Sequence, residues 1–316
     1  MKRKAIGIDL GGTETKIGLL NIHGDILKKK IIATNVEKGF KNVISKIGYS
    51  VLEMLKNENL TKEEILGIGI GSPGSVDRHS GTVLFSPNFP DWQYAPLTEQ
   101  LEEITKIKSF VENDANAFAL GEWAFGKHKR CKNIIGLTLG TGVGGGVIIN
   151  DQLLVGANGF AAELGHMIVQ PEGPLCGCGS HGCIESYASA PSIVRQAMEY
   201  YKKFPESYLF EKEKLSAKDI FDTARKNELV SKLVVDKITT MLAVGISNYV
   251  HIFNPEYVII GGGVSKAGDI LLNPLIEKTS RYLWPSFKDT FNIELSNLVE
   301  DAGIKGAASI VYFRNK

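Results

Sequence analysis

A chain of 316 residues with 43% hydrophobic side chains holds enough apolar material for two α/β lobes. Its 36 basic and 35 acidic side chains leave a formal charge of +1, so no broad electrostatic pull toward nucleic acid or an anionic membrane is expected. No apolar run approaches a spanning helix, and the basic start leads into a short segment that carries Asp9 and lacks a small-residue cleavage site, so the expected address is the cytoplasm.

Ala5–Leu10 reads as an apolar strand that breaks at Gly11–Gly12 and resumes at Lys16–Leu20, which predicts a hairpin; Ile26–Ala33 follows as a third strand. Phe40, Val43, Ile44, Ile47, Val51 and Leu55 recur at helical spacing. Ile65–Gly71 is a buried strand, and Ser72–Pro96 is loop with a short strand at Thr82–Phe85. A helix is expected over Leu97–Thr105, a strand over Lys108–Val111, and a helix from Asn113, a good N-cap residue, to about Phe125. Further on, helices are predicted from about Ile184 to Tyr201, over Ala217–Lys226 and over Leu229–Phe253. A short strand, Val258–Ile260, runs into Gly261-Gly262-Gly263 and a helix, and Ala302–Phe313 closes the chain as a helix.

Ile6–Asn21 (IGIDLGGTETKIGLLN) and Ile135–Asn150 (IGLTLGTGVGGGVIIN) align without a gap, each reading strand, glycine turn, strand. That is an internal duplication, and it predicts two lobes of similar topology that present glycine hairpins to a shared cleft. In both loops, Asp9–Lys16 and Thr138–Gly146, consecutive glycines can turn backbone N–H groups toward one anion, and Thr13 and Thr141 add hydroxyls. Neither is a Walker A loop. Gly140–Gly145 formally matches G-x-G-x-x-G, but Val147-Ile148-Ile149 continues as a strand where the dinucleotide fingerprint needs a helix. Two matched loops with an acid at the end of the first strand point to nucleotide phosphates, with Asp9 helping to hold Mg2+; the plainer role of Asp9 is to cap the turn.

Glu112-Asn113-Asp114-Ala115-Asn116 gathers carboxylates and amides at a helix start. Capping explains them; so does a base, Asp114, that takes a proton from a substrate hydroxyl while Asn113 orients it. The two roles are compatible, since a helix N-terminus favours an ionised carboxylate. Glu163–Glu185 (ELGHMIVQPEGPLCGCGSHGCIE) holds Cys176, Cys178, Cys183, His166 and His181. Cysteines spaced C-x-C-x4-C with a histidine ten residues upstream supply the four ligands of a Cys3His zinc site; free thiols and a disulfide are the alternatives, the latter leaving one cysteine unpaired. His181 competes with His166 as the fourth ligand.

Together these motifs resemble the ROK family (repressor, open reading frame, kinase). The likeness runs through IDLGGTETK at 8–16, GIGSPGSVD at 69–77, ENDANAFALGE at 112–122, LGTGVGGG at 139–146, ELGH at 163–166, CGCGSHGCIE at 176–185 and IIGGGVS at 259–265. Within the family, SPNFPDW at 86–92 is similar to the bacterial ATP-dependent glucokinases. The resemblance implies an α/β, two-lobed actin-like or hexokinase-like ATPase fold with a smaller lobe over 1–112 plus 302–316 and a larger one over 113–301. It implies transfer of the γ-phosphoryl of Mg-ATP to the 6-hydroxyl of D-glucose, with Asp114 as general base. ATP would be held by Asp9, Gly11, Gly12, Thr13, Lys16, Thr138, Gly140, Thr141, Gly142, Gly144 and Gly145, with Gly261, Gly262 and Gly263 against the adenosine. Gly74, Asn88, Asn113, Asp114, Glu163, His166 and Glu185 would contact the sugar, and His166, Cys176, Cys178 and Cys183 would bind a structural Zn2+. A homodimer or homotetramer is the implied assembly. The rival activities are a kinase for another hexose (N-acetylmannosamine, fructose, allose) and a sugar-responsive repressor. The repressor branch carries a helix-turn-helix ahead of the first glycine hairpin, which here begins within the first dozen residues, so nucleic-acid binding is not expected.

Overall fold

The computed structural model describes residues 4–86, 88–89, 91–128, 131–298 and 301–314. Pro87 and Pro90 of the SPNFPDW segment lie outside the described residues. The chain divides into two compact units, residues 1–130, 153–161 and 297–316 in one, and residues 131–152 and 162–296 in the other.

The first unit is built on a five-stranded sheet of β1 (Lys4–Leu10), β2 (Glu14–Asn21), β3 (Ile26–Ala33), β4 (Ile65–Ser72) and β7 (Ser109–Asn113), in the order β3-β2-β1-β4-β7. The hairpin strands are antiparallel, and β1, β4 and β7 run parallel. Because side chains alternate across a strand, Ile6 and Ile8 of β1 enter one face of the sheet while Gly7 faces the other. On the isoleucine face lie α1 (Phe40–Asn57), through Val43, Ile44, Ile47 and Val51, and α2 (Leu97–Thr105), through Leu97 and Leu101. Each such aliphatic side chain contributes roughly 1.5–3 kcal/mol by burial.

The other face is shaped by an absence of side chains. Gly18, Gly7 and Gly69 lie side by side across β2, β1 and β4. A Cβ on Gly7 would stand 2.2 Å from the Ile304 carbonyl oxygen, and one on Gly69 would stand 1.9 Å from that of Ala307. The row lets α9 (Ala302–Arg314) lie directly on the strands. α3 (Asp114–Phe125) packs on α9 in turn, its Gly121 against Gly306. This contact is why the first unit reaches residue 130, past the boundary at 112 that the sequence suggests.

A two-stranded ribbon, β5 (Ser75–Asp77) with β6 (Thr82–Phe85), occupies the stretch read mainly as loop. Phe89 and Trp92, which follow it, are fully buried and stacked at 4.3 Å, with Trp92 edge-on to Phe40 at 4.9 Å. The aromatic residues of the 86–92 motif therefore belong to the core, while Asn88, just before them, is exposed.

In the second unit the strands β8 (Ile134–Leu139), β9 (Val143–Ile149), β10 (Gln152–Leu153), β11 (Tyr257–Gly261) and β12 (Asn292–Leu295) form a sheet of order β10-β9-β8-β11-β12. Its antiparallel β8–β9 hairpin and parallel β8–β11–β12 run repeat the pattern of the first sheet, as the sequence duplication predicts. β12 was not expected from the sequence. The helix predicted over 184–201 is two: α4 (Glu185–Ala188) and α5 (Ala190–Glu199). Ser189 adopts an extended conformation and caps α5, and Pro191 fits only its first turn. Then come α6 (Ala217–Ala224), the long apolar α7 (Leu229–Phe253) and α8 (Asp269–Tyr282), the last preceded by a 3-10 turn at Val264–Ala267. Lys278 of α8 is half-buried against α7, donating to Asp236 Oδ1, Thr239 Oγ1 and Thr240 Oγ1 at 2.7–2.8 Å. Among the described residues no helix is long and apolar enough to cross a membrane.

Candidate functional site

In the first unit, the Gly11–Thr13 turn joins β1 to β2. Gly11 N–H donates to the Glu14 carbonyl at 3.1 Å. Thr34, just past β3, clamps the turn: its N–H donates to the Thr13 carbonyl at 2.8 Å and its hydroxyl to the Gly11 carbonyl at 2.7 Å. Asn88 stands beside the turn, its Cβ 3.5 Å from where a Gly12 side chain would begin. Asp9, at the end of β1, pairs with Lys16 Nζ at 3.8 Å and rests on Gly303 of α9, where an added Cβ would lie 2.3 Å from Asp9 Oδ2. Burial raises the Asp9 pKa, and the Lys16 charge works against that rise. Neither Thr34 nor Gly303 stands in a sequence pattern that would have marked it.

Asp114 is the first residue of α3 and is exposed; its Oδ1 accepts the Ala115 N–H at 2.9 Å. Asn113 caps the helix, its Oδ1 accepting from Ala115 N–H at 2.9 Å and Asn116 N–H at 3.2 Å. Its amide also donates to the Gly74 carbonyl at 3.1 Å. Gly74 needs to be glycine: its φ is +93°, and a Cβ would meet the Phe85 carbonyl at 2.2 Å. Beneath this junction Glu112 is 2% exposed; its Oε1 accepts from Asn113 N–H at 3.1 Å and Asn116 Nδ2 at 3.2 Å, and Arg78 Nε lies 3.3 Å from its Oε2. A buried carboxylate that lost this counter-charge would cost about 3–5 kcal/mol, so the pair fixes the junction rigidly. Arg78 is an addition to the residues singled out from the sequence, because nothing in its spacing marks a buried pair, whereas Asn116 lies in the stretch already singled out.

In the second unit the turn between β8 and β9 is Gly140–Gly142, closed by Gly140 N–H donating to the Gly142 carbonyl at 2.9 Å. Thr138, Gly144 and Gly145 lie in the strands, not in the turn: Thr138 pairs with Gly144, and Leu137 with Gly145. Gly145 is needed for packing, since a Cβ there would come within 2.6 Å of Leu164. Gly165 is needed likewise, against the Val143 carbonyl at 1.8 Å. The ELGH turn is thus pressed onto β9. Tyr249 of α7 anchors it from the other side, its hydroxyl donating to the Leu164 carbonyl at 2.5 Å. Ala162 has φ +68°, a left-handed conformation costing roughly 1 kcal/mol for a residue with a side chain, immediately before the exposed Glu163.

His166 Nδ1 and the three sulfurs of Cys176, Cys178 and Cys183 all lie within 4.8 Å of one another. His181 is not among them; its Nδ1 pairs with the Gly173 carbonyl at 3.0 Å and the residue is exposed. Tetrahedral zinc with Zn–S of about 2.3 Å and Zn–N of about 2.05 Å requires S···S of about 3.8 Å and S···N of about 3.6 Å. The Cys178–Cys183 sulfurs are 3.7 Å apart and Cys176 Sγ is 3.6 Å from His166 Nδ1, so the donor set has the dimensions of that ion. Burial pushes the Cys176 thiol up to about 12, while the Ser180 N–H draws Cys178 down to about 7. A bound cation favours the thiolate at all three positions. Glu185 stands between this cluster and the glycine turn, its Oε2 accepting the Val143 N–H at 2.9 Å and its Oε1 receiving the Cys176 thiol at 3.5 Å.

Gly140, Thr141 and Gly263 line a cavity of about 530 Å³, together with Ala217, Lys218 and Phe221 of α6 and with Lys266. This is within the usual size range of a cofactor pocket. Gly262, with φ +86°, lies against the Leu139 carbonyl, where a Cβ would approach to 2.4 Å; Gly263 faces open space. Gly261 is the last residue of β11, paired with Thr138.

Residues 5–313 match the ROK family. The glucokinase of Thermotoga maritima is 50% identical over 98% of this chain and 98% of its own length. That of Halalkalibacterium halodurans is 39% identical over 97% of this chain and 94% of its own. A crystal structure of a ROK family glucokinase from Streptomyces griseus, in complex with glucose and AMPPNP, is similar with TM-score 0.82 and 35% identity, covering 97% of this chain and 98% of that one. This chain belongs to the ROK family.

Proposed function

We propose that the protein is a glucokinase, transferring the γ-phosphoryl of ATP to the 6-hydroxyl of D-glucose. The observation that carries the reading is Asp114, an exposed carboxylate fixed at the head of α3 by the Asn113 cap, in a chain half identical to a glucokinase over nearly its whole length. Asp114 accepts the hydroxyl proton as the oxygen attacks. A sugar carries no charge, so its affinity comes from hydrogen bonds; Gly74, Asn88, Asn113, Glu163, His166 and Glu185 supply them. The adenosine occupies the cavity beside Gly263, with Gly261 and Gly262 behind it. Gly11–Thr13 and Gly140–Gly142 offer N–H donors to the phosphates, with Thr138, Gly144 and Gly145 holding the strands that carry the second turn.

Mg2+ suits Asp9, because this ion is commonly held by one or two carboxylates together with substrate phosphates, and when bound it neutralises charge that develops on the transferring group. Zn2+ is held by His166, Cys176, Cys178 and Cys183, and its part is structural. With one ring nitrogen of His166 holding the metal, the other would be left as a donor to a sugar hydroxyl. A homodimer or homotetramer, in the cytoplasm, completes the reading.

Two experiments test it. Coupled ADP release with Mg-ATP, screened across hexoses and N-acetylhexosamines, is expected to be highest with D-glucose; activity confined to another sugar refutes the glucose assignment, and duplex DNA binding without ADP release would favour a repressor. Elemental analysis of the purified protein is expected to give about one zinc per chain, reduced in Cys176→Ser. Unchanged zinc in that variant would rule out the knuckle.

A further inference from the structure

We propose that Glu185 is a positioning residue that couples the Cys/His metal knuckle to the nucleotide-facing turn Gly140–Gly142. The proposal rests on the kinase reading, and it goes beyond the sugar contact assigned to Glu185 above.

The turn is held at both ends by one short elbow of chain. At its exit, Glu185 Oε2 accepts the Val143 N–H at 2.9 Å and lies so near Gly142 that a Cβ there would approach to 2.6 Å. At its entry, the Gly140 carbonyl accepts the Ala190 N–H at 2.8 Å. Glu185 opens α4 and Ala190 opens α5, so the elbow at Ser189 grips the turn from start to finish. Had the helix run unbroken through Ser189, the Ala190 N–H would have been spent on an intrahelical bond.

The same elbow is rooted in the knuckle. Cys183, a ligand of the cluster, lies two residues before Glu185 and is tied to α4 by its carbonyl, which accepts from Ser186 N–H at 3.0 Å and Ser186 Oγ at 2.7 Å. Cys176 Sγ lies 3.5 Å from Glu185 Oε1, a thiol-to-carboxylate bond that a metal-bound thiolate would not make. Ile184 N–H donates to the Met167 carbonyl at 3.1 Å, joining the elbow to the turn that carries His166. Two of the four ligands, Cys183 and His166, therefore bear on the placement of one carboxylate, which in turn fixes a backbone N–H beside the phosphates. A charge-assisted bond of this kind is about twice as strong as a neutral one, and it is lost when its acceptor is displaced. The metal thus acts on the nucleotide without touching it.

The test measures binding of Mg-AMPPNP by calorimetry in the absence of sugar, using the whole protein. Removal of the metal by a chelator, verified by elemental analysis, is expected to weaken AMPPNP binding about tenfold or more, with recovery when zinc is returned. Glu185→Ala is expected to show the same loss with its metal still bound and no recovery on added zinc. Glu185→Gln, which keeps an acceptor oxygen, is expected to lie between. Hydrogen exchange supplies a readout that needs no ligand: amides of 140–144 are expected to exchange faster in metal-free protein, while those of the Gly11–Thr13 turn keep their rates. Nucleotide affinity and 140–144 exchange that are both unmoved by metal loss overturn the proposal. Absence of AMPPNP binding to the intact, metal-loaded protein overturns the kinase reading, and the proposal falls with it.

Discussion

Asp114→Asn is expected to keep its affinity for glucose within a few-fold while kcat falls by about 10²–10⁴. The substitution preserves shape and, at Oδ1, the acceptor for the Ala115 N–H, so the head of α3 stays in place. Asn113, which carries the cap, is untouched. What disappears is the basic oxygen. Since phosphoryl transfer depends mostly on positioning and charge neutralisation, the residual rate is not zero, and kcat and kcat/KM fall together. Steady-state kinetics with glucose varied at saturating Mg-ATP, beside direct glucose binding by calorimetry, separates the two terms. A near-normal kcat would remove Asp114 as the base, and a lost glucose affinity would make it mainly a binding group.

Gly69→Ala is expected to destabilise the first unit by about 3 kcal/mol or more, although it adds one methyl group far from any chemistry. The new carbon would have to occupy a point 1.9 Å from the Ala307 carbonyl oxygen, which is backbone and cannot rotate away. Its neighbours in the row, Gly7 and Gly18, are equally closed, so α9 must lift from the sheet and take α3 with it. Because α3 carries Asp114 and α9 carries Gly303 beneath Asp9, kinase activity is expected to fall as well. Urea unfolding followed by tryptophan fluorescence in a Trp284→Phe background reports on the first unit alone, through Trp92 and Trp123. A change within about 0.5 kcal/mol, the size of an ordinary surface substitution, would show that the glycine row is not what seats the helix.

Periodicity and glycine breaks made most elements legible in the sequence. The hairpins, α1, α2, α3 and α7 lie where spacing puts them, because each buries a regular apolar face or ends at a capping residue such as Asn113. The duplication was legible too, and the two sheets share one strand order. What escaped depends on contacts distant in sequence. The glycines of β1 and β4 read as components of apolar strands, and only the approach of α9 shows why those positions exclude a side chain. Ser189 reads as helix until Pro191 is recognised as its first turn. Gly144 and Gly145 read as phosphate loop because they continue a glycine run, yet their strand register commits Gly145 to Leu164.

At the candidate site, the cysteine spacing marks three candidate ligands and the family resemblance favours His166 over His181 as the fourth; the structure places His166, not His181, with the cysteines. Arg78, Thr34 and Tyr249 support the site without belonging to a motif. Their roles come from a buried charge, a clamp and a long-range hydroxyl bond, none of which has a period. Asp114 shows the opposite case: the Asn113 cap and the proposed base stand side by side at one helix start, so one short stretch pointed to both.

The most direct test of the central claim is to follow Mg-ATP and D-glucose with the purified protein by phosphorus NMR. The structure and its chemistry predict ADP together with a single phosphate monoester on carbon 6 of glucose, formed at a rate that Asp114→Asn abolishes almost entirely. A monoester on any other carbon, or ATP left unconsumed with glucose present, would contradict the account.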